Sequence, residues 1–121
     1  VMEQLKLSES EYRFATIVWE NEPLGSGELV KLCAQELGWK KSTTYTVLKK
    51  LCNRGVLQNI DATVTSLVKQ EQVQKYQSEQ FIKRTFGGSL PRFITAFMDD
   101  KTLSRQEADE LKKLIDSYKE E

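Results

Sequence analysis

Apolar residues recur at three- and four-residue spacing along most of the chain, and each break in that rhythm carries a recognisable stop. Tyr12, Ala15 and Trp19 share one stripe, which Phe14, Ile17 and Val18 widen. Ser8-x-x-Glu11 has the form of a capping box, and Leu7 and Tyr12 stand at the spacing of a hydrophobic staple. These predict a helix beginning at Ser8 and stopping before Asn21-Glu22-Pro23, because a residue preceding proline resists the helical region. A second stripe, Leu29, Val30, Cys33, Ala34 and Leu37, follows "LGSGE", with Ser26 as its cap, Glu28 in its first turn and Gly38 as its stop. The third is "KKSTTYTVLKKLCNRG", residues 40–55, which Gly55 ends. Its start falls at Lys40, at Lys41 or after a cap at Ser42. Laid out at about 100° per residue, it places Thr44, Leu48, Leu51 and Cys52 on one side. Ser42, Thr43, Thr46, Lys49, Lys50 and Asn53 fall opposite, with Tyr45 on the flank.

At Val56 the rhythm changes. "VLQNIDATVTSLV", residues 56–68, is rich in Val, Ile, Leu and Thr and predicts a short β-hairpin whose turn lies within Asn59–Thr63. Three helices and then a hairpin, with a basic third helix, is the order of a winged helix-turn-helix. Beyond it, residues 71–86 predict a helix with Tyr76, Phe81, Ile82 and Phe86 as candidate buried positions, broken by Gly87-Gly88. Leu90, Phe93, Ile94, Phe97 and Met98 make a further apolar stripe. A last helix starts at Ser104, where Ser104-x-x-Glu107 repeats the capping-box form, and carries Ala108, Leu111, Leu114, Ile115 and Tyr118 on one face. The expected fold is mainly α: a winged helix-turn-helix domain over residues 5–69 and a helical dimerisation region over residues 70–121. Val1, ahead of Met2, is left out of this reading.

Composition narrows the function. A chain of 121 residues is about one domain, or a small domain with an appendage, and is long enough for a core without staples. No apolar run approaches the roughly 20 residues that span a bilayer, and no signal-peptide core is visible. No membrane association is expected, and a cytoplasmic location is. There are two cysteines, Cys33 and Cys52, without a CxxC, and no histidine. That removes Ser-His and Cys-His nucleophile pairs and most zinc sites. No catalytic residue, metal site or cofactor is nominated. Lys49, Lys50 and Arg54 would activate the Cys52 thiol, but its helical position assigns it, like Cys33, to the core.

Charge changes the picture more than composition does. The chain holds 18 basic and 18 acidic residues, yet residues 40–55 contain five basic residues and no acid. The first 39 residues hold only Lys6, Arg13 and Lys31 against seven Glu. A local basic stripe on one helix, in this order of elements, points to double-stranded DNA. The competing reading is a solvated basic face. Lys40, Lys41, Lys49, Lys50 and Arg54 are the expected phosphate contacts. Thr43 and Thr46, with Tyr45 at the flank, are the expected contacts to base edges, and Ser42 is a further DNA-binding hydroxyl near the helix start. The C-terminal third carries more large apolar groups than three short helices bury alone. Phe81, Phe86, Phe93, Ile94, Phe97, Leu111, Leu114 and Ile115 are therefore the expected homodimer contacts, the competing reading being that they fold back on the winged helix in a monomer. The function expected is a DNA-binding transcriptional repressor. The alternative is a winged-helix protein-interaction module with weak or no DNA binding; an enzyme ranks third.

"LSESEYRFATIVWE" resembles the opening of the penicillinase-repressor family (the BlaI/MecI/CopY group of bacterial regulators) through Leu7, Ser8, Glu11, Tyr12 and Trp19. "WKKSTTYTVLKKL" is similar to the family's recognition helix through Trp39, Thr43, Thr46, Leu48 and Leu51. "SLV", the Gly-Gly pair and "LSRQEADELKKLI" also fall where the family has similar stretches, so the likeness covers about residues 5–118. It implies a winged-helix repressor that dimerises through its C-terminal helices and binds a palindromic promoter site. It also implies that Lys41, Thr43, Tyr45, Thr46 and Lys50 lie at or near DNA, and it brings in a regulatory protease as a further partner. Three departures stand out. No basic residue occurs between Gly55 and Lys69. The pair matching the Asn-Phe bond cleaved in antibiotic-responsive members is Ala96-Phe97. The Cys-x-Cys tail of copper-responsive members is absent.

Overall fold

The computed structural model describes residues 2–118, so Val1 lies outside it. In chain order the elements are α1 (Met2–Leu5), α2 (Glu9–Asn21), β1 (Leu24–Gly25), α3 (Ser26–Leu37), α4 (Lys41–Asn53), β2 (Leu57–Ile60), β3 (Thr63–Ser66), α5 (Gln70–Phe86), α6 (Leu90–Met98) and α7 (Arg105–Ser117). The result is a mainly helical chain with a winged helix-turn-helix at its N-terminal end. The chain forms two compact units, one running to Phe81 and the other from Ile82 onward.

In the first unit α2, α3 and α4 wrap one core. Phe14, Ala15, Ile17 and Val18 of α2, Leu29 and Cys33 of α3, and Leu48 and Leu51 of α4 are all buried there. Val56, Leu57, Val64 and Val68 close it from the hairpin side. The stripes read from the sequence supply this core because residues three and four apart share one helix face. The ring of Trp39 stacks on Phe14 at 5.6 Å, which anchors the connection into α4.

The ends of the helices follow their caps. Ser8 Oγ accepts from the Glu11 N–H at 3.2 Å, and the Ser8 N–H donates to Glu11 Oε1 at 2.9 Å, completing the capping box. α2 runs to Asn21 before Glu22 turns extended ahead of Pro23. Gly38 ends α3 in the left-handed conformation that glycine adopts without a Cβ penalty.

Ser26 differs from expectation. The N-cap of α3 is Gly25, and Ser26 is the first helical residue. The reason is a strand that the sequence reading missed. β1 pairs antiparallel with β3, Leu24 opposite Val64 and Gly25 opposite Thr63. The Ser26 N–H is then taken by the Ala62 carbonyl at 2.9 Å.

The sheet order is β1-β3-β2, and Asn59 faces Val64 while Ile60 faces Thr63 across the hairpin. Asp61 and Ala62 form the two-residue turn, both at positive φ, as the twist of a tight hairpin demands. α5 continues the first unit. Val73 is buried, and Gln70 and Gln74 donate to the Tyr12 hydroxyl at 3.1 and 3.2 Å. Trp19 Nε1 donates to the Val68 carbonyl at 2.9 Å, fixing the exit from the hairpin.

The second unit begins in the last turn of α5, which ends at Phe86 ahead of Gly87-Gly88. Phe86 meets Phe93 edge-on at 5.5 Å, and Phe93 meets Phe97 at 5.9 Å. Ser104 caps α7 by accepting from the Glu107 N–H at 3.1 Å. Neither α6 nor α7 has a buried residue.

Candidate nucleic-acid interface

α4 is amphipathic in the way its sequence predicts. Thr44, Leu48 and Leu51 are buried, and Cys52 is half-buried. Lys40, Lys41, Ser42, Thr43, Tyr45, Thr46, Lys49 and Lys50 are all exposed, and so is Asn53. Lys40 takes the N-cap position, so the helix starts at Lys41 and Ser42 is not its cap. No acid stands in the first turn. The N-terminal N–H groups and two lysines therefore present positive charge together, where an anion is favoured.

The hydroxyls are partly committed. Thr44 Oγ1 donates to the Lys40 carbonyl at 3.2 Å, inside the fold. Thr46 Oγ1 donates to the Ser42 carbonyl at 2.9 Å, which leaves its acceptor lone pairs uncommitted by that bond. The Tyr45 hydroxyl reaches Ser26 Oγ at 3.4 Å, steering the ring toward the start of α3.

The basic residues divide into two sets. Lys40, Lys41 and Lys49 stand on the exposed side of the helix. Lys50 and Arg54, one turn apart, meet Glu11 at the start of α2. Lys50 Nζ lies 3.1 Å from Glu11 Oε2, and Arg54 Nη1 lies 3.2 Å from Glu11 Oε1 and 3.2 Å from Oε2. Arg54 also donates to the Lys6 carbonyl. Sequence reasoning gave Glu11 only its capping role. The signal for the second role was an acid at the start of α2 and two basic residues, Lys50 and Arg54, four apart at the end of α4, which helix packing brings together.

Burial alone would raise the Glu11 carboxyl. The Ser8 N–H and the two cations outweigh it and lower the group from 4.5 to about 2. Burial pushes the Cys33 thiol up to about 11 and raises Cys52 as well. Both therefore behave as core thiols rather than activated ones. Among the described residues no group of His, Cys, Asp and Glu is arranged to hold a metal ion. No described helix is long and apolar enough to cross a membrane.

The hairpin offers no cation between Gly55 and Lys69, and Asp61 sits at its tip. Glu22 holds β3, the central strand of the sheet. Ser66 donates from its N–H at 2.8 Å and from Oγ at 2.9 Å to Glu22 Oε1.

In the second unit the expected dimer residues lie largely open. Ile94, Phe97, Leu111, Leu114 and Ile115 are exposed, Phe97 by 51% and Ile115 by 70%. Phe86 and Phe93 are half-buried. Phe81, the last residue of the first unit, is exposed too. Ala96 and Phe97 lie within α6.

The model of the penicillinase repressor family matches residues 7–117. The chain belongs to the penicillinase-repressor family. The match runs past the hairpin to the end of α7, so it takes in both units. The penicillinase repressor of Bacillus licheniformis is 21% identical over 118 residues, covering 94% of this chain and 92% of that protein. The methicillin resistance regulatory protein MecI of Staphylococcus aureus is 21% identical over 114 residues, covering 91% and 93%. The family is one of transcriptional repressors rather than enzymes.

Proposed function

We propose that this repressor binds duplex DNA as a homodimer, with α4 lying in the major groove. The observation that carries the reading is the outward face of α4. It is polar along its length, basic, free of acid, and backed by a buried apolar face that holds it rigidly. A B-DNA major groove admits one such helix. Lys40, Lys41 and Lys49 neutralise phosphates, and Ser42, Thr43, Thr46 and Tyr45 meet base edges. Asn53, on the same face, joins the base-reading set.

The exposed apolar faces of α6 and α7 support pairing with a second copy, since soluble chains rarely leave such patches bare. A two-fold dimer reads a palindrome whose half-site centres are about 10 base pairs, or a multiple, apart. The relatives' names, penicillinase repressor and methicillin resistance regulatory protein, favour a promoter as the target. Action in the cytoplasm follows from that target.

A second reading, a protein-interaction module, draws on the hairpin, whose uncharged sides and acidic tip give phosphate no partner. Titrating duplex DNA at two salt concentrations separates the two. Binding that weakens steeply with salt supports the repressor. Absence of binding at low salt sinks it.

A further inference from the structure

Of the five basic residues on and just after α4, two are already engaged. Glu11 lies almost wholly inside the fold, with its side chain 9% exposed, whereas the Lys50 side chain is 60% exposed. Arg54 occupies both carboxylate oxygens and the Lys6 carbonyl, and its side chain is 24% exposed. Arg54 thus serves the fold. Lys50 makes a single 3.1 Å contact, to Glu11 Oε2, from a position open to solvent. The three groups together carry one net positive charge where the two basic side chains alone would carry two.

We infer that Glu11 sets how strongly α4 grips phosphate, by holding the Lys50 ammonium in an internal ion pair. Lys50 is a latent phosphate contact, and a neutral residue at position 11 makes it an active one. This inference rests on the reading that α4 meets duplex DNA. The ligand is the phosphate backbone, so the effect is blind to sequence. The consequence is a ceiling on non-specific affinity: a repressor with fewer free cations on its recognition helix spends less time on random DNA. Glu11 does not touch DNA. It is a positioning residue that acts through Lys50.

The test is the slope of log K against log salt for a random-sequence duplex, measured for the native chain, Lys50→Ala, Glu11→Gln and the double variant. In the native background Lys50→Ala should change the slope by well under half a contact. Glu11→Gln should steepen it by about 0.9 per subunit, and adding Lys50→Ala should return it to the native value. A merely structural role for Glu11 would move stability and leave the slope alone. If Glu11→Gln fails to fold, Lys50→Ala decides: a flattening by the full 0.9 or so per subunit overturns the inference. A Glu11→Gln slope equal to the native one overturns it too. If the native chain binds with no salt dependence, the DNA reading itself fails and the inference falls with it.

Discussion

Replacing Glu11 by Gln at several pH values separates charge from shape at the joint between α2 and α4. Gln keeps the size of the side chain and an oxygen for the Ser8 N–H, but removes the charge that Lys50 and Arg54 meet. The carboxyl titrates near 4.5 in the unfolded chain and about 2 in the folded one. A folded value below the unfolded one means stability that is fully present above 4.5 and lost as pH falls toward 2. At about 1.4 kcal/mol per unit, the gap is worth about 3 kcal/mol at pH 7, roughly 1 at pH 3 and well under 1 at pH 2. Urea denaturation of both proteins at each pH gives the difference directly, since the other carboxylates titrate alike in both. Glu11→Gln should cost about 3 kcal/mol near neutrality and progressively less below pH 4.5. A cost that stays constant between pH 7 and pH 3 would refute the assignment of the carboxylate charge, held by the Ser8 N–H, Lys50 and Arg54, as its source.

Thr46→Ala should leave binding to random DNA nearly intact and lose discrimination at particular base pairs, on the order of 1 kcal/mol each; equal losses on operator and random DNA would reject that role. Lys49→Ala should weaken binding to all DNA alike and flatten the salt slope by about 0.9 per subunit, read from titrations at several ionic strengths. Phe97→Glu or Leu111→Glu should weaken self-association, because a charge placed in an apolar interface goes unpaired. Sedimentation of the native chain as a monomer at micromolar concentration would remove the premise. Leu51→Ala, in the buried face of α4, should cost roughly 2–5 kcal/mol by chemical denaturation; a loss below 1 would mean the helix is not packed as described.

Helices α2 to α7 and the hairpin were legible because their signals are local, whereas the four-residue α1 was not expected. Capping residues, glycine stops and a stripe at helical spacing all act within one or two turns, and Ser8, Gly38, Gly55 and Gly87 ended or began elements where they should. β1 was not legible. Leu24 and Gly25 have no strand signature of their own and pair only because β3 presents an unpaired edge to them. The same contact displaced Ser26 from the cap of α3. The outward face of α4 followed from periodicity alone, but the division among its cations did not. Which lysines are engaged depends on where α2 packs, and nothing inside residues 40–55 carries that information.

The acidic first third and the basic third helix therefore belong to one design. Seven Glu precede residue 40, and two of them tie down the parts that face outward in a winged helix. Glu11, at the start of α2, clamps the C-terminal end of α4 through Lys50 and Arg54. Glu22, just past the other end of the same helix, clamps β3 through Ser66. One helix thus fixes both α4 and the hairpin with carboxylates at its two ends. A basic protein could grip DNA with many free cations and need no such clamps, at the cost of gripping every sequence. On the reading that α4 meets duplex DNA, this chain of zero net charge offers phosphate only a few outward lysines. Lys40, Lys41 and Lys49 are left facing outward, while Arg54 and, through one solvent-open contact, Lys50 are tied to Glu11.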